Sequence, residues 1–430
     1  MQKNLIKLLL QRAERISELP LYEKGCFGSH PVKTGTAMAS FFLRVLDISA
    51  IIPPDKPISF IKEKKRMNDK SVKVRNGAID FWKFVFSILV VQFHSSNLTE
   101  IKTTPFVGAA IAVEWFFLVS GYLMAASISR YREEDIVTGA DSRKFMLHKI
   151  KGLCPEIFIA WGIGFVVQHI AKKNVTLSSL VKDLMTGVWD MFFLRESGLE
   201  GFKANPAAWY ISAMLLAMLV LVPLFFKNRD VFVNVWAPVL AIAALGYLSK
   251  NVGNLRGPTD WLGFCYKGWL RAVGELCMGV ICWGICQRIK DLPFTRLAQM
   301  LLTVLELGCY LGVILWSYSH KGSQMDFVML LLFAAGVIVT FSGHSLLSSF
   351  FNKPLIYFLG KISFSVYLSH NYWSHALVRI YPGQTYAQLY PKYVIASALT
   401  TVVIYVTASC LRRIAPAVTG RCRQLLLKSE

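Results

Sequence analysis

Charge is scarce in this chain. Only 17% of its 430 residues are Asp, Glu, Lys or Arg. A soluble domain of this size carries about a quarter charged residues. Acidic residues are the scarcest of these, with 26 Asp and Glu against 47 Lys and Arg, a formal charge of +21. The nine cysteines form no CxxC pair. Three of them, Cys277, Cys282 and Cys286, lie in one apolar run. That excludes a spaced zinc site or a disulfide framework and leaves small apolar helix residues. No metal site is expected. No repeat of solenoid period is present.

What the chain has instead is long apolar runs. Hydrophobic residues make up 54% and mean hydropathy is +0.45. This excludes a soluble globular enzyme, a disordered chain and a fibrous repeat. The fold class read from this is all-α, a polytopic membrane helix bundle of about ten spans. They are expected at 79–97, 106–129, 153–170, 207–226, 231–249, 268–286, 297–319, 325–342, 354–373 and 393–411. The stretch 181–194 is too short to cross and holds Asp183 and Asp190, so it reads as interfacial or re-entrant.

With the N-terminus inside, most Lys and Arg fall on the inner loops and tails. The positive-inside rule therefore puts both termini in the cytoplasm. It also accounts for the basic excess without nucleic acid, so the bilayer is the expected partner. Three regions follow: a basic cytoplasmic segment 1–78, a transmembrane domain 79–411 and a short basic tail 412–430. Met1–Pro20 reads as an amphipathic helix rather than a cleavable leader. Phe41–Ile52 is apolar but carries Arg44 and Asp47 and stops at Pro53 and Pro54. With Lys62–Arg66 it suggests an arm resting on anionic lipid.

Ionisable groups within spans are costly, and each is a functional candidate. The first span holds Asp80, Lys83 and His94. Eleven residues at 100° each end about 20° past three turns, so Lys83 and His94 share a face, roughly 16 Å apart along the axis. Lys83 sits near the inner side and either snorkels or binds charge. His94 lies in the outer half, and imidazole is the natural general base at neutral pH. Glu114 stands near the outer start of the second span. A carboxylate beside an imidazole fixes its tautomer and raises its basicity, so the pair reads as a base that activates a hydroxyl. A helix–helix hydrogen bond is the structural alternative for Glu114. Arg271 and Glu275, four apart, are expected to pair. Glu306 has no evident partner.

The spacing Lys83-x10-His94, with Asp80 just ahead, and the run Phe116-Phe117-Leu118-Val119-Ser120-Gly121 resemble the paired signatures of acyltransferase family 3. Its members are membrane-bound enzymes that modify bacterial surface glycans. Trp209-Tyr210-Ile211-Ser212 is similar to the family's Trp-Tyr-x-Ser stretch. Gly360-Lys361-Ile362-Ser363-Phe364-Ser365-Val366-Tyr367-Leu368-Ser369-His370 is similar to its late Gly-x-x-Ser helix. The resemblance runs from about Arg75 to about Leu411. The segment His148–Pro155 departs from it: Lys149 fits one of two arginine positions, Gly152 occupies the other, and Lys151 substitutes nearby.

The resemblance implies an integral O-acyltransferase of the bacterial cytoplasmic membrane, with acetyl-CoA or another acyl-CoA as co-substrate. The acceptor is a hydroxyl of an extracytoplasmic glycan. His94, Glu114 and Lys83 are then the catalytic candidates. Arg143, Lys144, Lys149 and Lys151, at the inner mouth of the third span, are the candidates for the donor phosphates; the positive-inside bias alone predicts the same cations. Ser120, Trp209, Tyr210, Tyr367 and His370 are candidates to line the substrate passage. The rival class is a non-enzymatic carrier or flippase for a lipid-linked glycan, but the chain shows no matching halves. Neither the acceptor glycan nor the acyl chain is written in the sequence.

Overall fold

The structure is a computed structural model that describes residues 75–99 and 104–426, with side chains described up to 414. The expected basic arm lies outside the described residues except for its last four. Among the described residues there is no strand, only an isolated bridge between Trp261 and Tyr266. The chain forms an all-α membrane bundle. Its helices are α1 (Gly77–His94), α2 (Ala112–Ile128), α3 (Thr138–Ile170), α4 (Leu177–Thr186), α5 (Trp209–Lys227) and α6 (Ala237–Asn251). They continue with α7 (Lys267–Ile289), α8 (Arg296–Ser319), α9 (Met325–Ser342), α10 (Pro354–Ser369), α11 (Asn371–Ile380) and α12 (Tyr386–Leu426).

Nine helical stretches among the described residues are long and apolar enough to cross a membrane, and the shorter apolar α10 is a tenth candidate. Exposed Leu, Val and Ile side chains are concentrated on the outer faces of α8 and α12, as lipid contact requires.

The centre of the bundle is α7, which packs against α2, α5, α6 and α9. Its approach to α2 rests on glycine. A Cβ at Gly121 would overlap the Leu276 carbonyl, and one at Gly279 would overlap the Leu118 carbonyl. Small residues let membrane helices close in this way. The Gly121 that ends the Phe116–Gly121 run is therefore a packing residue. Gly360 has the same role between α1 and α10, since a Cβ there would overlap the Asp80 carboxylate. Asp80 is also held in an ion pair by Arg75.

Three boundaries differ from expectation. Helix α3 starts at Thr138 rather than 153, because its polar first turns carry no hydropathy signal. The helix expected at 354–373 ends at Ser369, and α11 begins anew after His370. Helix α12 runs on through 412–426, so those residues continue the last helix, past the apolar stretch that ends at Ile414. The segment 181–194 overlaps two short helices, α4 and Val188–Met191, neither long enough to cross a membrane.

Candidate functional site

Lys83 and His94 are both partly exposed along α1, as a shared face requires. At the His94 end, α10 and α11 meet. The His94 ring lies 5.0 Å from that of His370. Asn371 Nδ2 stands 3.5 Å from His94 Nε2, its one hydrogen-bond partner among the described residues. His375 on α11 lies within electrostatic reach and meets Asn97 at 3.4 Å. His370 is fully buried. Its ring nitrogens sit near the Val366 and Tyr367 carbonyls without completing a hydrogen bond.

An aromatic line leads inward from there. The Tyr367 ring is 6.1 Å from that of His370 and 5.8 Å from that of Tyr210. Tyr210 meets Ser120 hydroxyl to hydroxyl at 3.0 Å. Tyr367 donates to the Ala207 carbonyl at 3.0 Å. His94, His370, Tyr367, Tyr210 and Ser120, drawn from four separate motifs, thus form one connected set.

Glu114 is not part of the His94 contact shell. Arg271 donates to Glu114 Oε1 and forms an ion pair with it. Arg271 also reaches Glu275 at 3.8 Å and lies 5.0 Å over the Trp209 ring. All three charged residues are at most 2% exposed. The expectation that Glu114 orients His94 is therefore corrected: its charge is committed to a guanidinium on α7. The Arg271–Glu275 pair is present, with Glu114 as a third member. Buried carboxylates require such a partner, and Arg271 is the nearest guanidinium.

The expected cation cluster also divides. Lys149 faces inward and lies within electrostatic reach of Lys83. Lys151 is two residues on, about 200° around the helix. With Arg143 and Lys144 it is exposed, and these three line a surface cavity on the other side of α3 with His148. Among the described residues, neither Lys83 nor Lys149 forms an ion pair. Asp80, the carboxylate near Lys83, is already engaged by Arg75. Lys83 on α1 and Lys149 on α3 are thus two cations within electrostatic reach that have no committed anion among the described residues.

Glu306 has partners after all. It accepts from Trp82 Nε1 at 3.3 Å and Thr340 Oγ1 at 2.7 Å, which ties α1 to α8 and α9. Among the described residues, no group of three or more His, Cys, Asp or Glu is placed to hold a metal ion.

Sequence reasoning missed Asn371 and Glu196. Asn371 directly follows His370, but a continuous helix would have turned it about 100° away. The break at His370 brings it to His94. Glu196 lies between α4 and α5 at 3% exposure, with neither carboxylate oxygen hydrogen-bonded among the described residues. Its backbone N–H is held by Ser212, the serine of the Trp209–Ser212 stretch. Burial pushes the Glu196 carboxyl up to about 7, against the nearby Arg195.

That shift gives a pH signature. A carboxyl whose folded-state value is raised holds a proton that the unfolded chain releases. Its contribution is complete below the unfolded value near 4.5 and is lost as pH rises to about 7. Thermal unfolding in detergent should therefore show a lower Tm at pH 8 than at pH 5. Glu196→Gln should flatten that difference, and an equally steep profile in the variant would assign the dependence to another group.

These features define a polytopic membrane protein with a partly exposed histidine at a helix junction and two cations, Lys83 on the same helix and Lys149 on α3, that form no ion pair among the described residues. The family described as an acyltransferase domain matches residues 76–409. The chain belongs to acyltransferase family 3 and is a membrane acyltransferase. No curated relative matches it.

Proposed function

We propose that the protein transfers an acyl group, by default acetyl, from coenzyme A to a hydroxyl of an extracytoplasmic glycan. The membrane would be the bacterial cytoplasmic membrane. The observation that carries this reading is α1 itself. One face presents a partly exposed imidazole, His94, near one end and a partly exposed ammonium, Lys83, roughly 16 Å away. The thickness between them matches a donor held on one side and an acceptor on the other.

The chemistry follows from the residues. His94 takes the acceptor hydroxyl proton as the oxygen attacks the thioester carbonyl carbon. The carbon–sulfur bond breaks, coenzyme A leaves as thiolate, and the imidazolium proton passes to it. Lys83 and Lys149, with no committed anion among the described residues, suit a diphosphate. Tyr367, Tyr210, Trp209 and Ser120 supply an aromatic and hydroxyl lining behind His370.

Steady-state kinetics on single variants test the donor side. Lys149→Ala should raise the donor KM and leave the acceptor KM unchanged, since a phosphate contact persists through the transition state. The effect should shrink with added salt, which screens partly solvated charge. Lys151→Ala should leave donor KM near the wild-type value, because Lys151 faces away from Lys83. A donor KM unchanged in both variants would return the whole cluster to a topological role.

A further inference from the structure

We propose that Asn371 is a positioning residue for His94, holding the imidazole in the tautomer whose Nε2 is an acceptor and can take a proton. The proposal rests on the acyl-transfer reading above. An amide nitrogen has donors only. Where Asn371 Nδ2 faces His94 Nε2 at 3.5 Å, Nε2 is the acceptor, so the neutral ring carries its proton on Nδ1. At that length the contact is weak, and an acceptor hydroxyl can displace it.

The other end of the amide is equally informative. Asn371 is 3% exposed, yet its Oδ1 has no hydrogen-bond partner among the described residues. A buried unpaired oxygen is costly. Asn205, at similar burial, shows the ordinary arrangement. Its side chain donates to the Leu368 carbonyl and accepts from the Ala207 N–H. Asn371 instead keeps one arm on the candidate base and the other idle. Once Nε2 has gained a proton, a half-turn of the amide offers Oδ1 to it. One side chain then serves both protonation states of His94. The break between α10 and α11 makes this possible, because it sets Asn371 at the first position of α11.

The titratable groups facing His94 are His370 at the helix break and His375 on α11. Arg256 lies over the adjacent Phe93 ring at 5.5 Å. Against this background, Asn371→Asp places a carboxylate beside Nε2 with little change of shape. An opposite charge at that distance favours the imidazolium by about one pH unit or more. The acid limb of the kcat/KM profile should move to higher pH by that amount. Asn371→Ala should lower kcat roughly tenfold, the worth of one hydrogen bond, with the acceptor KM within about twofold.

A second readout needs no turnover. The pH dependence of His94 modification by diethyl pyrocarbonate is followed by peptide mass spectrometry on folded, detergent-solubilised full-length protein. The midpoint should shift upward in Asn371→Asp. The Asn371→Ala variant, read the same way, covers the case in which Asn371→Asp does not fold: its midpoint should fall, since the charge-assisted bond from the imidazolium to Oδ1 is the stronger of the two that are lost. An unmoved His94 midpoint in the folded variants overturns the proposal. A shifted midpoint in a protein that transfers no acyl group overturns the acyl-transfer reading instead and leaves the positioning role standing.

Discussion

Replacing His94 by alanine is expected to lower turnover by a factor of about 10² to 10⁴ at saturating donor and acceptor, the usual worth of one general base. The loss should fall on kcat. The bundle should survive, because His94 is partly exposed and its side chain makes a single long hydrogen bond among the described residues. Gel filtration in detergent should show a wild-type elution profile. A folded His94→Ala protein with near-normal turnover would remove His94 from the chemistry and leave it as a lining residue.

Removal of Arg271 is expected to be the most destabilising single change in the described core. Glu114 and Glu275 both depend on it and are 1% and 0% exposed. Without the guanidinium, two carboxylates share a dry site, and breaking a buried pair costs about 3–5 kcal/mol. Arg271→Met should therefore give little folded protein. Glu114→Gln keeps the shape, removes one of the two negative charges and should fold. Because Glu114 does not touch His94, its turnover should stay within about tenfold of wild type, well above that of the His94 variant. Glu114→Gln falling to the His94→Ala level would reinstate Glu114 as a catalytic partner. Yields after solubilisation and turnover of the folded fraction separate these outcomes.

Much of the fold was legible because a bilayer demands long apolar runs, and these stand out from the loops. The first fifteen residues of α3 were not, since a polar helix beyond the membrane has no such signature. The Lys83–His94 face was readable from spacing alone, because both residues share one helix. The partner of Glu114 was not. Arg271 lies 157 residues away, and no feature of the sequence says that α2 lies on α7. In hindsight Gly121 and Gly279 mark that approach, but a glycine in a span does not name the helix it meets. Lys149 and Lys151 were grouped by proximity in sequence, although their helical angle separates them. Asp80 and Gly360 are a pair hidden in two motifs: each makes sense only when the other is packed against it. Glu306 was unaccounted for because its donors, Trp82 and Thr340, sit on two other helices.

The central claim is that donor and acceptor meet at His94 from opposite sides of the membrane. It is tested most directly with the purified protein in sealed liposomes of known orientation. Acyl-labelled coenzyme A is supplied only on the side of the Lys83 end, and a soluble oligosaccharide acceptor is trapped on the side of the His94 end. The account predicts labelled acceptor in the compartment that never held coenzyme A, and none with His94→Ala. Label appearing only on acceptor placed on the donor side, or undiminished transfer by the His94 variant, would contradict it.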